Sequence, residues 1–159
     1  AAYAKAHSLK TIADLKPLGK RVSLGAAPEF ATRAEGLVGL KQSYGINPTF
    51  KPLAIGLTYN ALDSGNVNLG DVFTTDPQLV GGKYTLLTDP KFVFGFQNAA
   101  PEVSKKVVAA EGPAFSQTLD AVSAKLTTEA MQKMNAAVAL DKQSAASVAH
   151  TFLAANGLA

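Results

Sequence analysis

The chain has 159 residues, 47% of them apolar and 17% charged, a composition that belongs to a folded globular protein and excludes a disordered one. Fifteen Lys and Arg against twelve Asp and Glu leave a net charge of +3, spread evenly as eight basic against six acidic residues in 1–80 and seven against six in 81–159. A nucleic-acid surface would need a clustered basic face, and Lys20-Arg21 and Lys105-Lys106 are the only adjacent basic pairs, so no nucleic-acid partner is expected.

In chain order, Leu9 to Leu15 is predicted as a short helix that opens with Thr11 and Asp14 at capping-box spacing and ends before Pro17. A strand follows at Arg21 to Ala26. Leu37, Leu40 and Tyr44 fall three and four apart, so Gly36 to Tyr44 reads as an amphipathic helix stopped by Gly45. Next come a strand at Thr49 to Ile55, a helix at Leu57 to Leu62 closed by Ser64-Gly65, and a strand at Asn66 to Phe73. Alternation with short connections predicts an α/β fold with a mainly parallel sheet flanked by helices, whose ligands sit at the carboxyl ends of strands. Phe30 and Phe73 fall at two such ends.

Thr85 to Thr88 and Phe92 to Phe96 read as two more extended pieces, and Gln97 to Val103 as a connector. After Ser104 the pattern becomes helical and rich in alanine. Phe115, Leu119, Val122 and Leu126 form one apolar stripe behind Pro113, and Met131, Met134 and Val138 form another behind Thr127-Thr128. A last helix is predicted from about Ser144 to Asn156, with Gly157 as its stop.

The stretch Pro28-Glu29-Phe30-Ala31-Thr32-Arg33-Ala34-Glu35-Gly36-Leu37 places an aromatic ring three residues before a guanidinium on a strand-to-helix loop. An arginine fork grips a carboxylate through two charge-assisted hydrogen bonds, and an aromatic face attracts a cation that has no proton to donate. Together they suit a small betaine-like zwitterion. Plain structural roles stand beside this reading: a core ring for Phe30, Phe73 or Phe96, a surface or carbonyl-capping role for Arg33, and a turn start for Thr74, Thr75 and Asp76. His7 and His150 have no partner at ligand spacing, cysteine is absent, and the glycines form no phosphate loop, so no metal or cofactor is expected. The sequence has no apolar run of 18 residues, and Ala1 to His7 lacks the pattern of a secretory signal.

Several segments in order carry a resemblance. Leu9-Lys10-Thr11-Ile12-Ala13-Asp14-Leu15, Glu29 to Leu37 leading to Tyr44-Gly45, Gly56-Leu57-Thr58-Tyr59-Asn60-Ala61-Leu62 with Ser64-Gly65, Asp71-Val72-Phe73-Thr74-Thr75-Asp76, Ala99-Ala100-Pro101 and Ala149-His150-Thr151-Phe152-Leu153 together make the chain resemble the solute-binding proteins of ATP-driven importers for glycine betaine, proline betaine, carnitine and choline. The resemblance implies a two-lobed clamshell of the type II periplasmic-binding-protein kind. A quaternary ammonium would be held in an aromatic box between the lobes and the solute delivered to a membrane permease at the outer face of the membrane, for osmoprotection. Carried over by position, it implies Phe30, Arg33, Phe73, Thr74 and Phe96 as ligand-binding residues. The family often has Tyr at the positions of Phe73 and Phe96 and Asp at that of Asn68, a departure that bears on ligand preference.

The resemblance also implies that residues 1–97 form the second, inserted lobe and residues 98–159 the connector and C-terminal helices that return to the first. The family's N-terminal segment is then expected to be missing, leaving half of the box, millimolar or weaker binding by these residues alone, and a face prone to self-association. Two other classes remain open at this point. An enzyme acting on a small carboxylate is disfavoured by the lack of a nucleophile-base pair or paired carboxylates. An effector-sensing domain of a transcription regulator uses a similar two-lobed fold and would need a DNA-binding segment upstream.

Overall fold

Parallel pairing joins three short strands, β1 (Ser23–Ala26), β2 (Thr49–Pro52) and β3 (Leu69–Gly70), into one sheet of order β2-β1-β3. They belong to a computed structural model that describes residues 1–158. Two helices accompany the sheet, α1 (Ala2–Ala6) and α2 (Thr58–Asp63), and four follow it: α3 (Lys105–Glu111), α4 (Pro113–Ser123), α5 (Thr128–Ala139) and α6 (Ala145–Ala155). The chain divides into two compact units, one made of Ala1–Phe73 and Gly81–Phe96, the other of Thr74–Val80 and the chain from Gln97 onward.

Strand side chains alternate between faces, and here the alternation separates a greasy face from a close-packed one. Leu24 stands opposite Phe50 and Leu69, and with Ala26 it packs into a core of Leu9, Ile12, Leu15, Phe30, Leu40, Tyr44 and Ile46. On the other face Gly25 stands opposite Gly70. A Cβ at Gly70 would lie 2.3 Å from Thr58 Cγ2 of α2, and one at Gly25 would lie 2.5 Å from Leu53 Cδ1. Bare backbone on that face is what lets α2 press against the sheet.

The parallel α/β architecture agrees with the sequence reading, while several boundaries differ for local reasons. Asp14 Oδ2 accepts hydrogen bonds from the backbone N–H groups of Thr11 (2.8 Å) and Lys10 (2.9 Å), as capping-box spacing predicts. The run it opens does not stop before Pro17; tight 3₁₀ turns carry it from Ile12 to Arg21, broken at Gly19 (φ 52°). The helix expected at Gly36 to Tyr44 is two wide turns, Ala34–Val38, kinked by extended backbone at Gly36 (φ −157°, ψ −142°), and Leu40–Tyr44. Gly36 and Gly39 account for this, since a Cβ on either would come within 2.2 Å of a carbonyl oxygen, that of Phe30 or of Ala34. Gly45 ends the segment in the left-handed region (φ 67°), as expected.

The strand expected over Asn66 to Phe73 shrinks to Leu69–Gly70: Asn68 N–H still donates to the Ser23 carbonyl (3.0 Å), while its side-chain Oδ1, in place of a backbone carbonyl, accepts from Ser23 N–H (3.0 Å) and Ser23 Oγ (2.9 Å). Neither Thr85–Thr88 nor Phe92–Phe96 is a strand. Thr88 makes a single bridge to Thr11, and positive φ at Phe92 (53°) and Gly95 (60°) breaks the second piece. Helix α1 escaped the sequence reading, being five residues with no capping side chain.

In the second unit α4 starts on Pro113 after Gly112 (φ 75°), α5 on Thr127 and α6 on Ser144. Thr127 Oγ1 accepts from Ala130 N–H and Ser144 Oγ from Ser147 N–H, each at 3.1 Å. Phe115, Leu119, Val122 and Leu126 are half-buried, as the stripe predicts, and Leu119, Val122 and Leu126 line a shallow hollow of about 290 Å³ with Ala99, Ala100 and Pro101. Gln132 and Asn135 of α5 donate to the carbonyls of Thr74 and Thr75 and so tether that short segment to the helix.

Candidate functional site

Chain order and sheet order disagree at one place, and that place is where an open α/β sheet has its crevice. The chain leaves β1 toward β2 on one side, whereas β3 lies on the other side of β1. Loops that depart from the carboxyl ends of β1 and β3 therefore diverge and leave room for a ligand between them. The loop after β1 runs through a 3₁₀ turn, Pro28–Ala31, to Arg33; the loop after β3 begins with Asp71 and Val72 and reaches Phe73. Asp71 is fixed at its backbone, whose N–H donates to the Gly25 carbonyl at 3.1 Å.

Phe30 is 1% exposed and belongs to the core, with its ring stacked on Phe50 at 6.3 Å and on Phe94 at 6.1 Å between centroids. A ring so enclosed presents no open face in this conformation. Its connection to the crevice is Arg33, whose Cζ lies 5.9 Å from the ring centroid, within cation–π range. The Arg33 side chain is 47% exposed, and one of its terminal nitrogens stands 3.6 Å from Asp71 Oδ2. The structure thus brings Phe30 and Arg33 together and adds Asp71 to them, a residue the sequence reading quoted within a motif without giving it a role.

Phe73 and Phe96 are 67% and 82% exposed. Phe96 pairs with Phe92, itself exposed, at 5.9 Å between centroids. Thr74 belongs to the second unit, and its carbonyl accepts from Gln132. A shallow apolar hollow of about 360 Å³, lined by Leu53, Leu57, Asn60, Ala61, Ser64 and Asn66, includes none of the five expected ligand-binding residues.

A buried-edge clasp that the sequence reading missed holds the loop leading to Phe92 and Phe96. The Tyr44 hydroxyl donates to Asp89 Oδ1, the N–H of Phe94 donates to Asp89 Oδ2 at 2.8 Å, and the N–H of Lys91 donates to the Tyr44 oxygen at 2.8 Å. Burial, reinforced by the Asp89 carboxylate, pushes the Tyr44 hydroxyl above its ordinary pKa and keeps it a donor. The only trace of this clasp in the sequence is the turn-forming pair Asp89-Pro90. His7 and His150 are exposed, and no group of three or more His, Cys, Asp or Glu suited to a metal ion occurs among the described residues.

Comparison with known proteins bears on the family and the fold. Residues 1–155 match the family described as the substrate binding domain of ABC-type glycine betaine transport systems. A glycine-betaine-binding protein of Pseudomonas aeruginosa is 38% identical over 129 residues, covering 79% of this chain and 41% of that protein. The glycine betaine-binding protein YehZ of Escherichia coli is 28% identical over 165 residues, covering 97% of this chain and 54% of that protein. A crystal structure of a glycine betaine/carnitine/choline ABC transporter superposes with a TM-score of 0.80 at 26% identity, over 99% of this chain and 58% of that one. The chain therefore spans roughly half the length of these relatives, and by its family match, its fold and its order of motifs it belongs to the substrate-binding domains of ABC-type glycine betaine transport systems.

Proposed function

We propose that this chain supplies one wall of a solute-binding cleft that captures a quaternary-ammonium compatible solute, glycine betaine or a close analogue, and hands it to the permease of an ABC importer outside the cytoplasmic membrane. The observation that carries the reading is the exposed Arg33 guanidinium at the carboxyl edge of β1 and β3, seated over the Phe30 ring. In this reading residues 1–97 are the second lobe and 98–159 the connector and helices that return to the first; the division of the chain after Phe96 supports that boundary, while Thr74–Val80 groups with the later residues.

The chemistry follows from the ligand's two ends. A trimethylammonium has a permanent charge and no N–H, so aromatic faces are its attraction, at about 0.5–2 kcal/mol per ring according to how fully water is excluded. Phe73 and Phe96 are exposed rings that could offer such faces, and Thr74, next after Phe73 in the chain, carries a hydroxyl. The carboxylate goes to Arg33, which stays charged at every physiological pH and presents its donors in a fixed fork. Phe30 works from beneath, as the floor that holds the guanidinium at the crevice. No step makes or breaks a covalent bond, consistent with a family of binding domains.

The test is calorimetric titration of the full-length protein with glycine betaine and with choline, which lacks the carboxylate. Arg33→Ala is expected to weaken glycine betaine at least about tenfold, the worth of a charge-assisted contact, and choline far less. Equal weakening of both would remove Arg33 from the carboxylate and the reading with it.

A further inference from the structure

We infer that Asp71 is a specificity-determining residue of this cleft: its carboxylate pairs with the Arg33 guanidinium, so that a zwitterion must displace it while a bare cation need not. The inference rests on the reading of Arg33 as the carboxylate anchor.

Three features point to Asp71. It sits at the first position after β3, beside the Arg33 side chain, with its backbone held by the Gly25 carbonyl. Its Oδ2 lies 3.6 Å from the guanidinium, close enough for ion pairing and too long for a hydrogen bond, and the two side chains remain 33% and 47% exposed. A single long, wet contact of this kind is weak and easily exchanged. Finally, a 3.6 Å contact satisfies no donor of the Arg33 fork fully, so those donors can turn to a better acceptor.

Displacement gives Asp71 a two-sided effect. A ligand carboxylate forming two parallel bonds with Arg33 replaces the looser Asp71 contact, so Asp71 competes with the acidic end of a betaine. The same negative charge, two residues before the exposed ring of Phe73, attracts a quaternary ammonium. Choline feels only the attraction, whereas a betaine feels attraction and competition together. Asp71 therefore narrows the preference for betaines over choline, and removing its charge widens it.

The experiment measures the ratio of glycine betaine to choline affinity in the full-length protein, for wild type, Asp71→Asn, Arg33→Ala and the double variant. Asp71→Asn is expected to raise the ratio about fivefold, as befits a part-exposed pair. In the Arg33→Ala background the same change is expected to leave the ratio within about twofold, because there is no longer a guanidinium to compete for. A merely structural Asp71 would weaken both ligands alike and leave the ratio unmoved in either background. If Asp71→Asn melts well below wild type, Asp71→Ser takes its place in the cycle. A ratio that stays constant or falls in the Asp71 variants, while Arg33→Ala still collapses it, overturns the inference and leaves the anchor reading standing. A ratio unaffected by Arg33→Ala removes both.

Discussion

The two units of the chain are built by different means. Of the thirteen buried apolar side chains among the described residues, twelve lie in the unit that holds the sheet, and only Val148 lies in the helical unit. The sheet unit is specified by long-range packing: Leu9, Leu24, Phe30 and Ile46, far apart in sequence, share one core. The helical unit is specified locally, by Ser104, Thr127 and Ser144 at helix starts and by apolar stripes that remain half-buried apart from the exposed Val138. The contrast teaches that the Arg33–Asp71 pair, the proposed anchor, sits on the part held by tertiary contacts, where the geometry of a guanidinium can be fixed.

Substitutions can break or sharpen that contrast. The largest effect is expected for Phe30→Ala, which empties a fully enclosed ring site at the centre of the sheet unit and should cost about 3–5 kcal/mol in chemical denaturation followed by circular dichroism. Amide exchange should accelerate across β1, β2 and the Leu40–Tyr44 turn, and a loss below about 1 kcal/mol would mean that the core is not what holds the unit together. The Arg33 site should loosen in the same variant, because its floor is gone.

A smaller effect is expected in the helical unit. Ser144→Ala removes the oxygen that accepts from Ser147 N–H at the start of α6 and should cost about 1 kcal/mol, with faster exchange confined to the first turn of that helix. A change of that size spreading into the sheet unit would break the distinction between local and long-range specification.

The smallest effect is a pH dependence. The backbone N–H groups of Lys10 and Thr11 hold the Asp14 carboxyl below its ordinary value, and Lys83, followed by Tyr84, does the same to Asp63. A carboxyl that binds its proton more weakly folded than unfolded contributes stability at neutral pH and loses it as pH falls through the acid range below about 4. Thermal melts of the sheet unit should therefore fall on acidification, and Asp14→Asn should flatten part of that fall. Because Asp14 is half-buried and still reached by solvent, the difference should shrink as salt is added.

Much of this was legible without coordinates. Capping residues and glycine stops are local signals, so Thr11-Asp14, Ser64-Gly65, Pro113, Ser144 and Gly157 appeared where the sequence placed them. Parallel alternation also followed from pattern alone. Strand ends did not, since β3 pairs with only two residues of β1 and at Asn68 a side chain replaces a ladder acceptor. The wide turns at Ala34–Val38 and Leu40–Tyr44 were hidden because apolar spacing is blind to how closely a glycine meets a neighbouring carbonyl.

For the site, the sequence by itself determined which groups were on offer: an aromatic and a guanidinium three apart on one loop, and a second aromatic at the end of a later strand. Only the tertiary structure decided that Phe30 turns inward, that Arg33 stays at the crevice, and that Asp71, 38 positions further on, stands 3.6 Å from it. The reason is physical. Residue type and short spacing record what a side chain can do, whereas the orientation of a ring and the partner of a charge depend on which strands pair, and strand pairing is a long-range outcome of the whole core.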